Sequence, residues 1–323
     1  MAVLITAALI VTFLVTVIAC PYFINRMKLL QYGQQIREDG PAGHSMKAGT
    51  PTMGGSVFIL SAAAVSIIMA GGSPVLYAAL LVTLGCGLIG FLDDYLKVAR
   101  NRSLGLKARS KLAAQAVLAF AFIILLRYLG LYSTEVIIPF INVEIELGVF
   151  YPLLVFLIIL AASNSVNLTD GIDGLAAGTA VIGLAVFVYI AWLAGKSETA
   201  LFSAALAGAC LGFLLYNRNP ARLFMGDVGS LALGGAFASL AVLTKTEFLL
   251  PVIGAVFVIE ALSVIAQVAS YRLFGRRILL MSPLHHHFEL KNWTEWRVVL
   301  TFWAAASVFA ILGALSYSRQ FIG

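Results

Sequence analysis

Ser163 to Ala176 reads SNSVNLTDGIDGLA and separates two apolar runs, Phe150 to Ala162 and Leu175 to Leu193. Asp170 and Asp173 stand three residues apart, and each is followed by glycine, Gly171 and Gly174. Carboxylates at the edge of a bilayer are costly, so their presence marks function. Glycine allows a sharp turn and a close ligand approach. The stretch reads as a turn at one membrane face that presents two carboxylates to a cation or a polar substrate. Asp173 is equally placed to cap the helix that starts at Leu175.

The rest of the chain has the composition such a turn requires. Of 323 residues, 61% are hydrophobic and 11% charged, and the mean hydropathy is +0.98. Soluble domains carry about 25% charged residues. The chain is therefore a single polytopic membrane domain, 1–323, and its runs of about 20 apolar residues call for helices, not a β-barrel. Ten spans are expected: 2–23, 53–71, 75–96, 112–129, 149–166, 175–194, 199–216, 229–243, 248–270 and 298–317. The first has no basic n-region and reads as a span, not a cleaved signal peptide. Cys20, Cys86 and Cys210 lie inside apolar runs, too scattered for a metal site, and read as packing residues. Between the fourth and fifth spans, Asn142 to Leu147 alternates polar and apolar residues, as a short hairpin strand does.

Connections 24–52, 97–111, 167–174, 217–228 and 271–297 hold 17 of the 21 Lys and Arg. By the positive-inside rule this face is cytoplasmic, and ten spans then leave both termini outside. The net charge of +6 is accounted for by orientation and by anionic lipids or substrates, with no nucleic acid needed.

The reactive residue types fall on that same face. FLDDYLK, Phe91 to Lys97, closes the third span with Asp93 and Asp94. Neighbours on a helix point about 100° apart, so one acid is expected to face a metal and the other a lysine such as Lys97. NRNPARLFMGDVGS, Asn217 to Ser230, sets Asp227 at the start of a span, where an acid can hold a cation and free N–H groups favour phosphate. Phe224 reads either as a base-stacking ring or as an interfacial aromatic. PLHHHFE, Pro283 to Glu289, holds His285, His286 and His287 in a row, a spacing unlike that of zinc sites but suited to phosphate contact or proton transfer. HSMKAGTPTMGG, His44 to Gly55, adds Lys47 and Thr52 without P-loop spacing. Glu260 falls inside the ninth span and reads as a buried structural acid away from this face. Carboxylates, basic residues and histidines on one face describe phosphoryl transfer assisted by Mg²⁺ or Mn²⁺ at a membrane surface.

Taken in order, FLDDYLK, NSVNLTDGIDGLA, NRNPARLFMGDVGS and the histidine loop resemble the polyprenyl-phosphate N-acetylhexosamine-1-phosphate transferase superfamily. KAGTPTMGG and PLHHHFEL resemble its bacterial phospho-N-acetylmuramoyl-pentapeptide transferase branch. The resemblance implies transfer of phospho-MurNAc-pentapeptide from UDP to undecaprenyl phosphate, giving lipid I and UMP. It implies Mg²⁺ held by Asp227, with Asp93, Asp94 and His286 catalytic. It places Lys47, Thr52, Asp170, Asn217 and Phe224 on the uridine side, and Lys97, Asn164, Asn167, Asp173, His285 and His287 elsewhere along the substrate. It implies a homodimer in the bacterial cytoplasmic membrane with a broken ninth helix. Two mechanisms stay open: attack by an aspartate (Asp94 or Asp227) through a phospho-enzyme, or direct attack by the lipid phosphate with Asp93 as base. Two other functions share part of the pattern: a UDP-GlcNAc-using sister enzyme, and a cation-coupled transporter with its acids at mid-membrane.

Overall fold

The computed structural model describes residues 1–30, 49–99 and 105–319. Lys47 lies outside the described residues. The chain is helical almost throughout: α1 (Ala2–Leu29), α2 (Gly55–Ala70), α3 (Pro74–Ala99), α4 (Ala108–Tyr128), α5 (Tyr151–Thr169), α6 (Leu175–Leu193), α7 (Ser197–Asn217), α8 (Gly226–Thr244), α9 (Leu250–Ile253), α10 (Ala255–Phe274), α11 (Leu284–Glu289) and α12 (Glu295–Ser318). Among the described residues, nine helices are long and apolar enough to cross a bilayer. The second expected span is α2, apolar throughout but 16 residues long, about one turn short of the ~20 residues a typical crossing uses. The ninth expected span is interrupted at Gly254, where α9 gives way to α10.

Helix ends follow local chemistry. The α12 N-terminus is capped by Thr294, whose hydroxyl accepts the Arg297 N–H at 3.3 Å, and Glu295 sits in the first turn where the helix dipole favours an acid. Between α4 and α5, β1 (Glu135–Ile138) pairs antiparallel with β2 (Val143–Glu146), Glu135 opposite Glu146. This is the hairpin that the alternation predicts.

The bundle is organised around α8, which is buried on nearly all sides, with α7 almost as enclosed. Its sequence, GDVGSLALGGAFASLAVLT, is rich in small residues, which let backbones approach where apolar lipid gives no hydrophobic drive for association. The α3–α8 crossing is one of the closest. A Cβ on Gly90 would stand 2.1 Å from the Asp227 carbonyl oxygen, so only glycine permits this approach. The three cysteines are buried and free, in line with packing roles.

The hairpin end of the bundle carries more chemistry than its sequence promises. Tyr151 donates to Glu247 at 2.7 Å, and Lys245 donates to the Ser133 carbonyl at 2.8 Å and the Glu135 carbonyl at 3.3 Å. Burial pushes the Glu247 carboxyl up and the Lys245 amine down. These contacts tie the hairpin to the α8–α9 connection. Lys245 holds a left-handed backbone, φ 59°, while its amine makes them.

Candidate active site

At the opposite end, the α3–α8 crossing brings together Asp93, Asp94 and Asp227. Each offers a carboxylate oxygen, and the three oxygens lie within 4.8 Å of one another. Asp93 and Asp94 are 1% and 4% exposed, so their charge requires partners. Two lysines supply them. Lys97 Nζ stands 2.7 Å from Asp93, 3.4 Å from Asp94 and 3.1 Å from Asp227. Lys111 Nζ, from the first turn of α4, stands 3.0 Å from Asp93 and 2.9 Å from Asp227. The two neighbouring acids diverge, as adjacent helix positions must, but the lysine is not reserved to one of them. Both side chains meet Lys97. Asp93 accepts the Leu106 N–H, from the segment that leads into α4, at 2.7 Å, and Asp94 turns to α8, where it accepts the Val228 N–H at 3.1 Å.

Backbone conformation makes that last contact possible. Gly226 opens α8 with φ 72°, and a Cβ there would lie 2.5 Å from an Asp94 oxygen. The loop before α2 is braced against the same segment. Phe224 donates its N–H to the Pro51 carbonyl at 2.8 Å, and Gly54 donates to the Phe224 carbonyl at 2.8 Å. Thr52, next to Pro51, is buried, and Phe224 is half-buried.

The opening stretch divides its residues. Asn167 donates to Asp227 at 3.0 Å and to Ser230 at 2.8 Å, which joins α5 directly to the acid cluster. Asn164 bonds back to the Leu160 carbonyl of its own helix at 2.8 Å. Asp173 does not cap α6: Gly174 is the N-cap residue, and no side chain caps that end. Asp173 instead accepts the Ala221 N–H at 2.9 Å and the Asn219 amide at 3.3 Å, which pins the α7–α8 connection. Asn217, buried, receives the Gly174 N–H at 3.1 Å and donates to the Leu223 carbonyl at 3.0 Å, bridging both turns. Asp170 feels burial first, then the charges of Asp227, Asp94 and Asp173, and these push its carboxyl well above the usual carboxylate range.

The histidines sit on α11. His286 Nδ1 lies 2.6 Å from Glu289, and His287 Nδ1 accepts the Leu280 N–H at 3.1 Å. His285 is fully buried against Glu260, 3.2 Å away. Glu260 is thus no isolated acid. One face of α10 organises the whole loop, because Gln267, seven residues on, accepts the Ile278 and Leu279 N–H groups at 3.0 Å and donates to the Leu279 carbonyl at 2.9 Å. Sequence reasoning missed Lys111 as a site residue, counting it only toward orientation. Its place at the start of a span after a basic run gave no sign that it would reach across to α8.

The donor set fits a hard divalent cation. Carboxylate oxygens are the ligands Mg²⁺ prefers. Three formal negative charges face two lysines, which leaves one negative charge over in a buried place. The ammonium groups already mark where positive charge is favoured.

Fold and site together define a polytopic helical membrane protein with a buried carboxylate–lysine cluster at one end, and comparison with known proteins gives its class as transferase. Residues 76–245 match the family described as Glycosyl transferase family 4. Residues 47–59 match signature 1 of the phospho-N-acetylmuramoyl-pentapeptide-transferases. Proteins of that name are similar over nearly the full chain. The one from Shouchella clausii is 53% identical, covering 94% of this chain and 95% of its own. That from Halalkalibacterium halodurans is 51% identical, with 94% of each covered. That from Bacillus pumilus is 50% identical, covering 94% and 95%. The chain belongs to the phospho-N-acetylmuramoyl-pentapeptide-transferase family.

Proposed function

We propose that this protein transfers phospho-MurNAc-pentapeptide from UDP-MurNAc-pentapeptide to undecaprenyl phosphate, releasing UMP and leaving lipid I. The reaction takes place at the cytoplasmic face of a bacterial inner membrane, in a ten-span homodimer with both termini outside. The observation that carries the reading is the buried cluster Asp93–Asp94–Asp227, bridged by Lys97 and Lys111, in a chain of this family. The orientation rests on the basic connections, which share an end with that cluster.

Asp227 would hold Mg²⁺, with Asp94 and Asp93 offering carboxylate oxygens beside it. The ion, when bound, neutralises charge on the transferred and leaving phosphates. Everything else is the work of side chains. Lys97 and Lys111 turn from the carboxylates toward the substrate's phosphate oxygens and orient the β-phosphorus. An oxygen of the lipid phosphate forms the new bond to that phosphorus, and the bond to the bridging oxygen breaks, so UMP leaves. The second pKa of a phosphate monoester is about 6, so the nucleophile is already largely deprotonated at neutral pH. Asp93 is engaged by Lys97, Lys111 and the Leu106 N–H. That favours a role in holding the lysines over one as base. Asp170, with Thr52, Asn217, Phe224 and Lys47, serves the uracil and ribose side of the substrate. No phosphorylated aspartate is expected when enzyme and nucleotide sugar are mixed without lipid.

The deciding assay is UMP release in detergent, with UDP-MurNAc-pentapeptide, undecaprenyl phosphate and Mg²⁺. Release with UDP-GlcNAc instead would assign the sister activity, and no release in either mixture would overturn transfer. In the same assay Lys111→Ala is expected to lower kcat on the order of 10²-fold, the scale for losing one group aimed at developing charge. A kcat equal to wild type would remove Lys111 from the reacting centre.

A further inference from the structure

Glu260 is a carboxylate inside a span-length helix with no exposed surface. An ionisable group at such a depth is expensive and calls for a function and a partner. Its partner is His285, also without exposed surface. Glu260 Oε1 accepts the His285 backbone N–H at 3.2 Å and lies 3.2 Å from His285 Nδ1. One oxygen thus contacts both the backbone and the ring of the same residue. The other Glu260 oxygen and both ring nitrogens of His285 have no hydrogen-bond partner among the described residues. A buried polar group left so costs about 1–3 kcal/mol, and packing alone would have favoured an apolar pair here.

The ring's far edge is held as tightly as its near edge. A Cβ on Gly171 would stand 2.2 Å from His285 Nε2 and 2.8 Å from Cε1. Glycine at 171 therefore lets the ring seat against the turn that carries Asp170 and Asp173. The His285 ring also packs on the His286 ring, with centroids 4.2 Å apart. The contacts run in one line: α10, Glu260, His285, then Gly171 on one side and His286 on the other.

We propose that Glu260 is a positioning residue for the transfer reaction. From within α10 it fixes His285 against Gly171, and so sets α11 and His286 beside the Asp170 turn. It touches no substrate. Its removal frees α11 to move relative to the acid cluster, and the supporting group behind a histidine commonly governs the activity of the site it orients. This inference rests on the transferase reading above.

The test is UMP release by Glu260→Leu, Glu260→Gln and the combination of each with His285→Ala, beside the wild-type enzyme. Silent wild type overturns the transferase reading and not this one. Glu260→Leu is expected to lower kcat roughly tenfold or more, the usual range for losing such a support. Glu260→Gln keeps an oxygen acceptor and is expected to stay within about threefold of wild type, since the effect is one of geometry. On the His285→Ala background, Glu260→Leu is expected to add less than about twofold, because residues acting as one unit are not additive. A merely structural role behaves differently: a smaller folded fraction multiplies in either background. Wild-type kinetics in Glu260→Leu, or full multiplication in the double variant, overturns the proposal. Should Glu260→Leu not fold, Gly171→Ala carries the test, because it displaces the same ring without touching α10. A tenfold or larger fall is expected there too, and unchanged kinetics overturns the proposal.

Discussion

Asp227→Asn is expected to abolish turnover for practical purposes, with kcat reduced on the order of 10³-fold or more, or about 4 kcal/mol of barrier. The change removes one charge and preserves shape, so the loss reports electrostatics. Asp227 Oδ2 is the atom that Lys97 and Lys111 share, at 3.1 and 2.9 Å. Oδ1 receives the Asn167 amide at 3.0 Å. An asparagine has a single acceptor oxygen for these two positions. If the oxygen stays with Asn167, its NH₂ points at two ammonium groups. If it turns to the lysines, it points the NH₂ at another amide donor. The arrangement that holds α3, α4, α5 and α8 together at this point is lost either way. Steady-state kinetics over a Mg²⁺ titration checks the result. The residual activity is expected to respond to Mg²⁺ only at concentrations well above those the wild type needs. Activity with an unchanged Mg²⁺ dependence would take Asp227 out of the metal set.

How much of this was legible before the structure depends on the range of each interaction. The helices were, because a bilayer imposes the same length and composition rule at every span. The hairpin was, because its alternation is local. The acids were, because a carboxylate in an apolar chain stands out by cost alone. What the sequence hid are pairings across long separations. Lys111 and Asp227 are 116 residues apart, and nothing near either residue names the other. Glu260 looked remote from the site because the chain leaves the membrane before it comes back through α11 to meet it. Asp173 looked like a helix cap, the cheapest local use of an aspartate before a helix. The structure uses it instead on the Ala221 N–H, 48 positions away. Asp93 and Asp94 were expected to part company, which their 100° separation does impose. They still share one cluster because Lys97, one turn on, is long enough to reach both. The signal for the central helix was present but easily passed over: a run of small residues such as that of α8 reads as weak apolar sequence until the crossings show what smallness allows.

Gly90→Ala makes the case for that close crossing and is expected to be severely damaging, because the clash falls at the acid cluster. The added Cβ would stand 2.1 Å from the Asp227 carbonyl oxygen, 2.4 Å from its carbon and 2.6 Å from the Val228 nitrogen. All three are backbone atoms, so no side chain can swing aside. The α3 and α8 backbones must separate by about 1 Å or more to restore ordinary contact. Overpacking of this kind costs about 1–3 kcal/mol of stability. The larger effect is on chemistry. Asp93 and Asp94 stand three and four residues after Gly90, and Lys97 three and four after them, so all four lie toward one helix face. Moving α3 at Gly90 carries Asp93, Asp94 and Lys97 away from Asp227 and stretches the Asp94 bond to the Val228 N–H. A misplacement of about 1 Å can cost 10²-fold in rate, and that is the expected fall in kcat, measured well below the melting temperature so that lost stability is not mistaken for it. Gly87→Ala, one turn earlier on the same interface, is the control. Its Cβ would meet the Ala232 Cβ at 3.3 Å and the Val228 oxygen at 3.6 Å. A shift of a few tenths of an ångström accommodates that, so its kcat is expected to stay within about threefold of wild type. Equal damage from both would mean that the helix pair tolerates no added bulk anywhere, and that Gly90 has no special part in assembling the site.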